Sequence, residues 1–168
     1  IYGGTVLYDF DNTTGIVSNA RTFSGVQCAT SFSPDNTKLY MASCGNGNIY
    51  QFNLCAGTTQ ALINATKTLV GNIPYIWQMQ NAPDGKIYIA RSDSFLAVIN
   101  NPNNNVPACN FQARGFSLNG NMTSIFTFPS SLVERYFNKP TTDSSGFTSS
   151  NIVCLGNTAS FSVTPSGC

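Results

Sequence analysis

The 168-residue chain contains no histidine, and only 9% of its residues are charged. Without imidazole, no side chain titrates near neutrality at its ordinary pKa. Triads of the Ser-His-Asp or Cys-His kind are therefore excluded within these residues, as are zinc sites that combine Cys with His. The 8 basic and 7 acidic residues leave a net charge of +1. That balance provides no electrostatic footprint for nucleic acid or for an anionic membrane surface. No C-x-x-C pair occurs, so neither a thiolate metal site nor a paired redox motif is expected. No apolar run approaches the roughly 18 to 20 residues that span a bilayer. The reading predicts no cofactor, no metal and no membrane span. Ile1 is preceded by no Met and no signal-peptide pattern, so an export signal is expected upstream or already removed.

What is present suits wet-looped β-structure. Hydrophobic residues reach 42%, enough for a core. Neutral polar residues fill the remainder, as in Asn100-Asn-Pro-Asn-Asn-Asn105. The 6 cysteines, Cys28, Cys44, Cys55, Cys109, Cys154 and Cys168, are even in number. In so weakly charged a chain they favour an oxidising location outside the cytoplasm.

The most informative feature is a repeat. Phe32-Ser-Pro-Asp-Asn-Thr-Lys-Leu-Tyr-Met-Ala-Ser43 and Asn81-Ala-Pro-Asp-Gly-Lys-Ile-Tyr-Ile-Ala-Arg-Ser92 share a Pro-Asp turn followed by Lys, an aliphatic residue, Tyr, an apolar residue and Ala. Pro34 and Pro83 stand 49 positions apart, and a period of roughly 40 to 50 residues marks propeller blades or solenoid units. Pro34, Asp35, Pro83, Asp84 and Gly85 are read as turn builders, each Asp capping its own turn.

Strand alternation extends the pattern. Thr5 to Asp11 and Ile16-Val17 form a hairpin through Asn12-Thr-Thr-Gly15. Strands follow at Val26 to Phe32, Lys38 to Ser43 and Asn48 to Leu54. Thr58 to Val70 has apolar spacing that also suits a helix, but its Thr content and place in the repeat favour an outer strand. The second unit runs through Tyr75 to Gln80, Lys86 to Arg91, Phe95 to Asn100 and Ala108 to Leu118, and Ser124 to Phe128 opens a further one.

The expected fold is therefore all-β: about two and a half four-stranded antiparallel blades of a partial β-propeller. Residues 1–138 are read as its C-terminal blades, 139–152 as a polar linker, and 153–168 as the beginning of an immunoglobulin-like or PKD-like β-module. Propellers have about four to eight blades, and an open stack leaves apolar faces and strand edges uncovered. The remainder of a longer chain, or a partner chain, is expected to complete the ring.

Several residues are weighed as sites. Asp9 and Asp11 offer oxygen ligands, but Thr14 stands where a calcium loop of the EF-hand type needs Gly. The acids are scattered, and a pair such as Asp93 with Glu134 would have to be assembled by the fold. Tyr75, Trp77 and Tyr136 are candidate interaction aromatics for a sugar or peptide, set against ordinary packing for Tyr75 and Trp77. In the hairpin centred on Asn36, residues whose numbers sum to 72 would lie opposite each other. That register places Cys28 against Cys44 and predicts a disulfide. Cys55 with Cys109 is a second candidate pair, while Cys154 and Cys168 bracket the last module.

The ordered set Leu7-Tyr-Asp-Phe-Asp-Asn-Thr-Thr-Gly15, Ser33-Pro-Asp, Ala82-Pro-Asp-Gly-Lys-Ile-Tyr-Ile-Ala90, Val98-Ile-Asn-Asn-Pro-Asn103, Cys109-Asn-Phe, Phe128-Pro and Tyr136-Phe137 resembles the WD40-like propeller region of large cell-surface proteins of gliding Bacteroidetes. The resemblance covers residues 5–138 and implies export by the type IX secretion system to the cell surface, in association with the outer membrane. It also implies a non-enzymatic scaffold or adhesin linked to gliding motility or attachment. Secretion or motility proteins and polysaccharide are the partners to expect. The alternative is a propeller enzyme, a lyase or glycosidase, with its catalytic residues outside this stretch.

Overall fold

Strand-forming runs of alternating apolar residues, punctuated by Pro-Asp, Asn-Gly and Asp-Gly turns, fold as the repeat requires. The computed structural model describes residues 4–25, 27–43, 45–120 and Phe128. Strands β1 (Thr5–Phe10) and β2 (Val17–Phe23) form a two-stranded hairpin. Strands β3 (Gln27–Phe32), β4 (Lys38–Ser43), β5 (Asn48–Asn53) and β6 (Thr68–Asn72) form an antiparallel four-stranded sheet in chain order. Strands β7 (Ile76–Asn81), β8 (Ile87–Arg91), β9 (Phe95–Ile99) and β10 (Phe111–Ser117) form a second sheet of the same order. The sheets are open, not closed into barrels. The strand expected at 124–128, the linker at 139–152 and the module at 153–168 lie outside the described residues, apart from Phe128.

The turns explain the shared geometry. Between β3 and β4, the Ser33 N–H donates to the Lys38 carbonyl at 2.9 Å and Asn36 takes a left-handed φ of 61°. Between β7 and β8, the Ala82 N–H donates to the Lys86 carbonyl at 2.9 Å, and Gly85 takes the equivalent left-handed place at 77°. Asn and Gly are the residues that reach this region most cheaply.

One expected element differs. The stretch at 58–70 is not a single strand: after a 3-10 turn at Leu54–Ala56 it forms helix α1 (Gln60–Ala65), and only then β6. The Thr59 hydroxyl caps the helix by accepting from the Leu62 N–H at 3.4 Å, and Ile63 is buried beneath it. A local cap and one buried side chain outweigh strand propensity there.

The hairpin register also corrects the sequence reading. Opposed residues in β3 and β4 sum to 71, as in Ser31 with Tyr40, and the register shifts between Gln27 and Ala29. Cys28 sits at that irregularity, so the assumed 72 register does not hold. Trp77, 49 positions on, lies at the matching shift between Ile76 and Gln78.

Two apolar clusters flank the first sheet. Tyr40, Ala42 and Ile49 on one face pack against Ile87, Ile89 and Ile99 of the second sheet. Leu39, Met41 and Phe52 on the other face pack with Phe23 of β2 and Ile63 of α1. Each fully buried aliphatic side chain of this kind contributes about 1.5 to 3 kcal/mol. The face of β4 that bears Leu39 and Met41 corresponds in the repeat to the face of β8 that bears Ile87 and Ile89. The first and second sheets therefore stack with the same face turned toward the preceding unit, which for the first sheet is the hairpin.

Candidate functional site

The two repeat aspartates build turns. Asp35 Oδ1 accepts from the Ser33 hydroxyl at 2.6 Å and from the Thr37 N–H and hydroxyl, both at 3.0 Å. Burial opposes its charge, but these hydrogen bonds outweigh burial and hold the carboxyl below its ordinary range. Asp84 accepts from the Lys86 N–H at 3.2 Å and from the Tyr88 hydroxyl at 2.9 Å.

The remaining described acids are also engaged. Asp11 accepts from the Thr13 N–H at 2.8 Å and the Thr14 N–H at 3.3 Å, which keeps its carboxyl low. Asp9 pairs with the Arg21 guanidinium and accepts from Asn19 Nδ2 at 2.8 Å, and the Arg21 bond is the chief cause of its lowered pKa. Asp93 lies 3.0 Å from Arg91 and 3.4 Å from Arg114. Desolvation opposes its charge, but the Ser94 N–H and the two arginines prevail and its carboxyl too is lowered. Glu134 lies outside the described residues. Among the described residues, no three of Cys, Asp and Glu come together as a metal-holding group.

These lowered carboxyls set the acid limb of stability. Asp9, Asp11, Asp35 and Asp93 each titrate lower in the folded chain than the ordinary value, which for Asp is about 3.9. Their contribution is thus complete above that value and is lost as pH falls through the folded pKa values. Urea titrations are expected to give a midpoint that is flat near neutrality and falls steadily below about pH 4. A midpoint that held or rose on acidification would contradict these assignments.

A buried polar network ties the sheets together. The Tyr40 hydroxyl donates to the Pro102 carbonyl at 2.8 Å and accepts from Gln51 Nε2 at 2.6 Å. Gln51 Nε2 also lies 2.8 Å from the Asn104 carbonyl, and its Oε1 accepts from the Val106 N–H at 3.3 Å. Burial raises the Tyr40 phenol well above its ordinary value. Burial likewise raises the thiol of Cys109, which is free and packed in the inter-sheet core. An un-ionised buried thiol is a poor nucleophile.

The cysteine pattern needs one correction. Cys28 and Cys55 are disulfide-bonded, whereas Cys109 is not, so the pair Cys55 with Cys109 does not form. Cys109 is buried between the sheets, while Leu54, the neighbour of Cys55, packs on the opposite face of the first sheet. Cys44, Cys154 and Cys168 lie outside the described residues.

The candidate aromatics stand at the surface and not in the core. Tyr75 is 69% exposed with a left-handed φ of 58°, and Trp77 is 37% exposed, its indole N–H donating to the Ser92 hydroxyl at 3.2 Å. Tyr136 lies outside the described residues. A larger apolar surface, which the sequence reading did not single out, is on the hairpin: Val6, Tyr8, Phe10, Ile16 and Val17 are all exposed. The alternation of Val6, Tyr8 and Phe10 against the core-facing Leu7 was its available signal.

Two clefts border α1. One, of about 160 Å³, is floored by Phe23, Met41 and Phe52, with the Lys67 ammonium 4.1 Å above the Tyr50 ring at its mouth. The other, of about 290 Å³, is lined by Asn19, Ala20, Arg21, Thr58 and Gln60. Among the described residues, no helix is long and apolar enough to cross a membrane.

Fold and surface together define an all-β protein of repeated four-stranded antiparallel sheets. No protein-family model and no curated protein matches the chain. Among solved structures it is similar to hydrazine synthase of Kuenenia stuttgartiensis, at 16% identity and a TM-score of 0.40, over 56% of this chain and 26% of that one.

Proposed function

We propose that this chain is a stretch of a β-propeller from a large exported cell-surface protein, acting as a scaffold or adhesive interaction module and not as an enzyme. The observation that carries the reading is that the first and second sheets stack with the same face, that of Leu39 and Met41 and of Ile87 and Ile89 48 positions on, turned toward the preceding unit. Blades around a channel repeat in this way. In this reading β3 and β7 are innermost strands, and β1 and β2 are the outer pair of another blade. Residues 153–168 would open an immunoglobulin-like or PKD-like module.

The exposed apolar face of the hairpin supports the same reading. Val6, Tyr8 and Phe10 are exposed, and in this reading they pack against a further blade, supplied by the remainder of a longer chain or by a partner chain. Surface attachment also accords with the disulfide-bonded Cys28 and Cys55, which need an oxidising compartment.

The test is protease treatment of intact source cells, paired with an attachment assay on a strain lacking this region. The full-length protein should be degraded without lysis, and attachment or gliding should fall. Resistance until lysis would overturn the surface assignment. Turnover of a polysaccharide by the full-length protein, lost on mutating an acid in its channel, would favour the enzymatic alternative.

A further inference from the structure

We infer that the 3-10 turn at Leu54–Ala56 is an anchoring point for Cys168, held there by a disulfide to Cys55. The inference rests on strand register and on the bonded state of the cysteines, and it holds whether or not the chain works at a cell surface.

Cys55 stands at one end of the first sheet. The Leu54 N–H donates to the Thr37 carbonyl at 2.9 Å and the Cys55 N–H to Asn53 Oδ1 at 3.1 Å, which fixes the turn beside the start of β4. Cys28 is at the other end. Its neighbour Gln27 faces Ser43, the last residue of β4, and Ser43 and Gly45, which flank Cys44 in the chain, stand where β4 turns into β5. Lys38, opposite Asn53, and Ser43, opposite Gln27, are five positions apart on β4, about 17 Å at the rise of a strand. A disulfide needs Cα atoms within about 7 Å of each other. Cys55 therefore reaches neither Cys28 nor Cys44, although Cys28 and Cys55 are both disulfide-bonded.

Cys109 is a free thiol between the sheets. Of the 6 cysteines, Cys154 and Cys168 remain for Cys55. Residues 1–128 and Gly167–Cys168 belong to one compact unit, and Pro129–Ser166 to another. That grouping selects Cys168. The bond closes a covalent loop from Cys55 to Cys168 that contains α1, β6 and the whole second sheet. So long a loop loses much of its freedom in the unfolded chain, which stabilises the fold. Cys55 is exposed, so the strap stays open to thiol exchange. Its formation takes two electrons and two protons from the two thiols, which pass to the disulfide of a thiol oxidoreductase as that disulfide becomes a dithiol.

The experiment is peptide mapping of the oxidised chain without reduction. Free thiols are blocked with iodoacetamide under denaturing conditions. Trypsin with chymotrypsin then cuts after Tyr50 and Phe52, between Cys44 and Cys55, and after Phe161, between Cys154 and Cys168. A cross-linked pair of peptides carrying Cys55 and Cys168 is expected, from a chain that runs as a monomer on a non-reducing gel. The inference is overturned if Cys55 is alkylated, or if it is linked to any other cysteine of this chain or to a second chain. Cys55→Ser and Cys168→Ser are each expected to lower the thermal midpoint by roughly 5 to 15 °C, and the double variant by no more than either alone. A double variant that falls by the sum of the two shifts would overturn the shared bond, because independent sites add.

Discussion

Gln51→Leu is expected to lower unfolding free energy by about 3 kcal/mol, measured by urea denaturation at neutral pH. Gln51 is buried on β5 and reaches across to the loop between β9 and β10. Leucine keeps much of the volume but removes the donor to the Asn104 carbonyl and the acceptor of the Val106 N–H. Each backbone group left unmet costs about 1 to 3 kcal/mol, partly offset by the added apolar contact. The Tyr40 hydroxyl loses one partner but keeps the Pro102 carbonyl. A loss below about 1 kcal/mol would mean that the loop re-forms its hydrogen bonds with solvent and that this network does not couple the sheets.

The second large effect is expected at Gly47, in the turn between β4 and β5. Its φ is 70°, and a Cβ there would stand 2.1 Å from the Ile73 carbonyl oxygen. The Ile73 N–H in turn donates to the Gly47 carbonyl at 3.0 Å, so the two backbones are locked together. Gly47→Ala must separate them, breaking that bond and lifting buried Ile73 from the inter-sheet core, at a cost of about 3 kcal/mol or more. Gly85→Ala is the control. Its φ of 77° is as unfavourable, but nothing lies within 4 Å of its Cβ, so it should lose only about 1 to 2 kcal/mol. Equal losses in thermal denaturation would show that left-handed strain alone, and not the contact with Ile73, governs Gly47.

The repeat was legible because turn chemistry and strand alternation are local. Pro34-Asp35-Asn36 and Pro83-Asp84-Gly85 announce their own hydrogen bonds, and seven of the eight strands of the two sheets, all but β6, lie within a few residues of the positions that alternation indicates. The same locality explains the roles of Asp35 and Asp84, whose partners are mostly within four residues. Residues 60–65 were misread as strand because a six-residue helix carries too little periodicity to declare itself against a Thr-rich background. The Cys28 register was misread because a shift between Gln27 and Ala29 leaves no mark on composition.

The sequence alone determined the all-β class, the order of strands in each sheet and the absence of imidazole chemistry, since all three follow from residue identity and short-range spacing. Tertiary structure decided the rest. It left Cys109 a free thiol between the sheets, joined Tyr40 and Gln51 to a loop more than fifty positions away, and exposed one whole face of the first hairpin. Those outcomes depend on which face of a strand meets which neighbour, and a single-residue shift in register reverses that assignment without changing the pattern that encodes it.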